Sequence, residues 1–61
     1  MRQREALRLH NRDQVEVRLG PGEWYPAYVL GEPEQLNKKV VIIPVQSSFG
    51  GYLKVVHTEI R

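Results

Sequence analysis

VEVRLGPGEWYPAYVL, residues Val15 to Leu30, decides how this chain is read. Val15, Val17 and Leu19 alternate with Glu16 and Arg18, the period of a half-buried β-strand over about Gln14–Leu19. Gly20-Pro21-Gly22 cannot continue that strand and supplies a turn. A second strand follows over about Glu23–Leu30, in which Trp24, Tyr25 and Tyr28 place three of the five aromatics. Pro26 lies inside it and has no N–H for a ladder, so an edge or a bulge is expected there. On a strand, Trp24 and Tyr28 share one face while Tyr25 takes the other.

Working outward, Gly31–Lys38 reads as a polar connecting loop. Lys39–Val45, KVVIIPV, is a third strand, and its run of β-branched residues suggests burial on both faces. Pro44 implies an edge or a bend near its end. Gln46–Gly51 is the next turn and Tyr52–Val56 the fourth strand. His57-Thr58-Glu59 fits a short 3₁₀ turn, and Ile60-Arg61 a last, very short strand. The pattern is all-β: a small five-stranded antiparallel barrel or strongly bent sheet. With 61 residues, folding buries only about 60% of the surface the unfolded chain exposes. Such a domain gains from a partner, and an apolar strand such as KVVIIPV beside a proline-interrupted one invites a homodimer through a strand edge.

Residues 1–12 form a basic leader, expected to be flexible or a short helix, and residues 13–61 the barrel. The leader holds Arg2, Arg4, Arg8 and Arg12 against one glutamate, a net +3, whereas residues 13–61 carry a net −1. A long apolar run is absent, so no membrane span is expected, and the leader lacks the apolar core of a secretory signal. The chain has no cysteine, which removes disulfides and thiolate metal sites and suits an intracellular place, cytoplasmic or nuclear.

Catalytic signals are missing. His10 and His57 are far apart in sequence and neither has a neighbour at metal-ligand spacing. Asp13 is the only aspartate, so no Ser-His-Asp arrangement is argued. Gly20-Pro21-Gly22 lacks the helix and lysine of a phosphate loop. The expectation is a protein that is not an enzyme and needs no cofactor or metal.

VEVR, the Gly-rich turn and WYPAYV resemble the opening of Tudor-like domains of the Agenet type, the fragile X family among them. VQSSFGGYLKVVHTEIR is similar to the later part of that type, with Phe49 after the third strand and Val55 to Arg61 as its ending. The resemblance covers residues 13–61. It implies an SH3-like barrel and an aromatic site for a cationic, often methylated, side chain. Ring faces present negative quadrupoles to such a cation, and a nearby carboxylate completes the site. Tyr25 matches one cage position, while Arg18-Leu19 and Ile43-Pro44-Val45-Gln46 stand where other cage aromatics would be. The bare SH3-like barrels of type II dihydrofolate reductases assemble into an enzyme, but their V-Q-I-Y motif has no counterpart, since Val45-Gln46 is followed by Ser47-Ser48.

The expected function is therefore a non-catalytic binding module for a protein or peptide. Its ligand would be a lysine- or arginine-containing segment, methylated or not, on an aromatic surface of Trp24, Tyr25, Tyr28, Phe49 and Tyr52, with Glu16 or Glu23 as the anionic partner. The alternative is a small barrel that binds DNA or RNA, with Arg2, Arg4, Arg8 and Arg12 on phosphates and the aromatics stacked on bases.

Overall fold

Every one of the 61 residues is described in the computed structural model. The order is α1 (Gln3–Leu7), β1 (Gln14–Gly20), β2 (Glu23–Val29), β3 (Glu34–Asn37), β4 (Val40–Ser47), β5 (Tyr52–Val56) and a 3₁₀ turn (His57–Glu59). All strand pairs are antiparallel, in one five-stranded sheet. Alternation in the sequence becomes alternation in burial: Val15, Val17, Ala27, Val29, Val41, Ile43, Val45 and Val55 point to one side and form the core with Ala6 and Ile60. Each fully buried valine or isoleucine contributes about 1.5–3 kcal/mol, which is most of what holds so small a domain.

The Gly20-Pro21-Gly22 turn forms as the sequence dictates. Pro21 and Gly22 join β1 to β2, and Gly22 has φ 70°, the proline-then-glycine pattern of a type II turn. Pairing shifts between Arg18 and Gly20, so Leu19 bulges out.

Both strand prolines fall where a donor is dispensable. Glu16 faces Pro26 but exchanges its own backbone bonds with Arg61, so Pro26 turns its polar groups toward β4. The β2–β4 ladder has ended by that point, with Ala27 opposite Ser47, and the Pro26 carbonyl accepts from the Ser48 N–H at 3.0 Å. No bulge forms at Pro26, and the register runs unbroken from Gln14–Tyr28 to Arg18–Trp24. Pro44 sits between the two partners of one β4 edge, β3 at Val40–Ile42 and β2 at Val45–Ser47. β5 takes the other edge.

Several expectations are corrected. The polar loop is not all loop: Glu34–Asn37 is β3, paired to β4 through a tight turn at Lys38-Lys39. The apolar strand runs Val40–Ser47, shifted from the expected Lys39–Val45, and is the middle of the sheet rather than an edge. It buries alternate residues only, with Val40, Ile42 and Pro44 half-buried. The sheet is not closed into a barrel. The 3₁₀ turn consumes His57–Glu59, so the expected last strand shrinks to one bridge, Val17 to Ile60, flanked by two backbone bonds between Glu16 and Arg61 at 2.7 and 2.9 Å.

The leader is anchored. Ala6 is fully buried, Met1 and Leu9 pack against the core, and the N-terminal ammonium donates to the Ile60 carbonyl at 2.8 Å. His57 is buried, and its Nδ1 accepts from the Val41 N–H at 3.2 Å.

Candidate functional site

The five aromatics divide into three groups. Trp24 lies with Pro26 and Tyr28 on the outer face of β2, directly across from Arg18. The Arg61 guanidinium lies 4.1 Å from the centre of the indole and that of Arg18 5.7 Å. Each arginine is fixed by a carboxylate, Arg61 by Glu16 at 3.1 Å and Arg18 by Glu59 at 2.5 Å. The hydrogen bond from Arg18 holds the Glu59 carboxyl below its ordinary range, and the same bond raises the Arg18 guanidinium. The cation site that Trp24 offers is thus filled from within the chain, and Glu16 is committed to Arg61.

Tyr25 is half-buried on the other face of β2. Phe49 comes to it from the β4–β5 turn, which is pinned by Ser47 N–H to Gly51 O at 2.9 Å, Gly50 N–H to Ser47 O at 3.0 Å and Ser48 N–H to Pro26 O. Gly50 has φ 86°, which a side chain there would strain. The Tyr25 and Phe49 rings stand 5.0 Å apart at 62°, an edge-on pair. The Tyr25 hydroxyl donates to Glu23 Oε2 at 2.6 Å, leaving Glu23 Oε1 without a protein partner. Phe49 is 70% exposed. Two aromatic rings and a half-used carboxylate therefore meet at one open corner of the sheet.

Tyr28 and Tyr52 form the third group. Both are opposite Gln46, one from β2 and one from β5, and both are exposed on the outer face. Two strand spacings, about 9.5 Å, separate their backbones, so the rings flank Gln46 rather than stack. Arg2, Arg4, Arg8 and Arg12 are exposed and none is paired with a carboxylate side chain. The largest concavity, about 570 Å³, lies between Leu7–Asn11 and Gly31–Pro33 and contains no aromatic. No three His, Asp or Glu side chains gather as metal ligands, and no helix is long and apolar enough to cross a membrane.

Sequence reasoning missed Arg18 and Arg61. Arg18 was legible in principle, because the tight turn fixes the register that places it across from Trp24. Arg61 carries no such signal, since it reaches the indole only through the 3₁₀ turn and the Ile60 bridge. No family model, curated protein or solved structure matches the chain.

The shifted groups give a pH prediction. Glu59 is depressed in the fold, so its bond to Arg18 stabilises above the unfolded carboxyl value and is lost as pH falls through the folded one. The Tyr25 phenol is raised, chiefly by its hydrogen bond to Glu23, so its contribution is present below the ordinary phenol value of about 10 and is lost as pH rises through the folded value. Melting followed against pH should show Glu59→Gln flattening the acid limb and Tyr25→Phe the alkaline limb. Variants whose pH profiles keep the wild-type shape would contradict these pairings.

Proposed function

We propose that this chain is a non-catalytic binding module that takes a lysine- or arginine-bearing peptide segment, methylated or not, at the corner formed by Tyr25, Phe49 and Glu23. The observation that carries the reading is the pair of half-buried Tyr25 and exposed Phe49 with a carboxylate 2.6 Å from the phenol. The open ring faces of the pair attract a cation, and Glu23 Oε1 is free to accept its N–H. The Arg61–Trp24–Arg18 stack supports the chemistry by example, since the chain already seats its own cations on an aromatic face beside carboxylates. In fold terms we read the sheet as an opened relative of the SH3-like, Tudor-like arrangement. The order of hairpin, long central strand, 3₁₀ turn and closing bridge supports that reading. The lack of cysteine supports an intracellular setting.

Calorimetric titration with peptides that differ only in one side chain tests the proposal. Lysine, methyl-lysine or arginine should bind and the uncharged norleucine analogue should not. Equal binding of the norleucine peptide, or none by any peptide at about 1 mM, would refute it.

A second reading rests on a separate observation. Four unpaired arginines in the leader and the exposed Tyr28 and Tyr52 suit contact with phosphates and bases of DNA or RNA. Because Ala6 is a core residue, replacing Arg2, Arg4 and Arg8 by glutamine tests this better than deleting the leader. Nucleic-acid affinity that survives those changes and ignores salt would count against it.

A further inference from the structure

The contacts of Trp24 show what its indole accepts. Arg61 has its backbone on the outer edge of β1, where it exchanges two bonds with Glu16. Its side chain crosses β1, and the guanidinium carbon lies 4.1 Å from the centre of the ring in β2. Glu16 Oε1 accepts from Arg61 Nε at 3.1 Å. One guanidinium is thus held by an aromatic face and a carboxylate together. Arg18 does not take this seat. It lies farther from the ring, at 5.7 Å, and its Nε donates to Glu59. Withdrawing Arg61 therefore leaves Glu16 without its ion-pair partner beside an uncovered indole.

The occupant is held far less firmly than the seat. The side chains of Arg61 and Glu16 are 55% and 49% exposed, and an exposed ion pair and an exposed cation–π contact each contribute little. The backbone is different. The two Glu16–Arg61 bonds, at 2.7 and 2.9 Å, and the adjacent bridge from Ile60 to Val17 hold this margin of the sheet. The Arg61 side chain can therefore swing into solvent while Trp24 and Glu16 keep their places.

We propose that Trp24 and Glu16 form a second ligand site, selective for the guanidinium of an arginine on a partner peptide, with Arg61 as its resident competitor. The partner's side chain takes the seat and that of Arg61 turns out to water. Arginine is preferred to lysine because its planar, weakly hydrated guanidinium covers an aromatic face and still donates to a carboxylate, whereas an ammonium is compact and strongly hydrated. Arg61 is tethered beside the seat, so its high effective concentration sets a threshold that a partner must exceed. Trp24 and Tyr25 take opposite faces of β2, so this site is separate from the Tyr25–Phe49 corner and stands or falls independently of it.

NMR titration of the full chain with N-acetyl-arginine amide and N-acetyl-lysine amide, up to about 100 mM at matched ionic strength, tests the proposal. The indole N–H of Trp24 reports this site, and the ring signals of Phe49 report the other. Arg61→Ala should bind the arginine probe about 3- to 30-fold more tightly than the wild type, the combined worth of one exposed cation–π contact and one exposed ion pair. Arg61→Gln, which keeps the length and loses the charge, should behave in the same way. Both keep the backbone bonds to Glu16, and circular dichroism checks that they are folded. The lysine probe should bind Arg61→Ala more weakly than the arginine probe, and adding Glu16→Gln should weaken the arginine probe. An indole signal in both Arg61 variants that ignores the arginine probe overturns the proposal. So does a wild type that binds it as tightly as they do, lysine binding equal to arginine, or no loss on adding Glu16→Gln.

Discussion

Phe49→Ala should weaken binding of a lysine-bearing peptide about 2- to 5-fold while leaving stability within about 1 kcal/mol of wild type. The size follows from the loss of one ring from an exposed cation site, about 0.5–1 kcal/mol. The small stability effect follows from the position of Phe49 in a turn, 70% exposed and touching the rest of the protein through its contact with Tyr25. Glu23→Gln should also weaken binding, because it removes the charge that faces the cation while keeping an acceptor for the Tyr25 hydroxyl. Calorimetry and denaturant unfolding on the same samples check both halves. A variant that binds as well as wild type would assign Phe49 to packing over the core and remove it from the site.

Ile60→Ala should do the reverse and cost about 2–5 kcal/mol of stability. A domain of this size has only about 3–9 kcal/mol in total, so much of the population would be unfolded near physiological temperature. Ile60 is fully buried, forms the bridge to Val17, and its carbonyl receives the N-terminal ammonium. One residue thereby ties the last turn, the first strand and the leader together. Removing its side chain leaves a cavity that three separate segments border. Denaturant unfolding measures the change, and a loss below about 1 kcal/mol would show that the sheet does not depend on this closure.

The hairpin was legible because three local rules agree on it. Alternating valines set the period, Pro21-Gly22 set the turn, and the parity of β2 put Trp24 and Tyr28 on one face and Tyr25 on the other. The 3₁₀ turn at His57–Glu59 was legible for the same local reasons. β3 was not, since Glu34-Gln35-Leu36-Asn37 has no apolar alternation and owes its extension to the ladder with β4. Nor was the open sheet. Whether Ile60-Arg61 makes a strand or one bridge depends on how many residues the preceding turn consumes, which periodicity does not encode.

The candidate site was half legible. Tyr25, Phe49 and Glu23 were all named from the sequence, but so were Trp24, Tyr28, Tyr52 and Glu16, and nothing in the spacing sorted them. Tertiary contacts did the sorting. Arg61 closes over Trp24 and captures Glu16, Gln46 keeps Tyr28 and Tyr52 apart, and the Ser48 to Pro26 bond brings Phe49 to Tyr25. The candidate surface, spread in sequence over Trp24, Tyr25, Tyr28, Phe49 and Tyr52, narrows to the corner where Tyr25 and Phe49 meet.

The most direct test is to map the amide and aromatic NMR signals of the chain as a trimethyl-lysine peptide is added. The largest changes should fall on Glu23, Tyr25 and Phe49, with Trp24 held by Arg61 and little altered. Changes confined to Trp24, or to Tyr28 and Tyr52, would contradict the account, as would a spectrum that does not change at all.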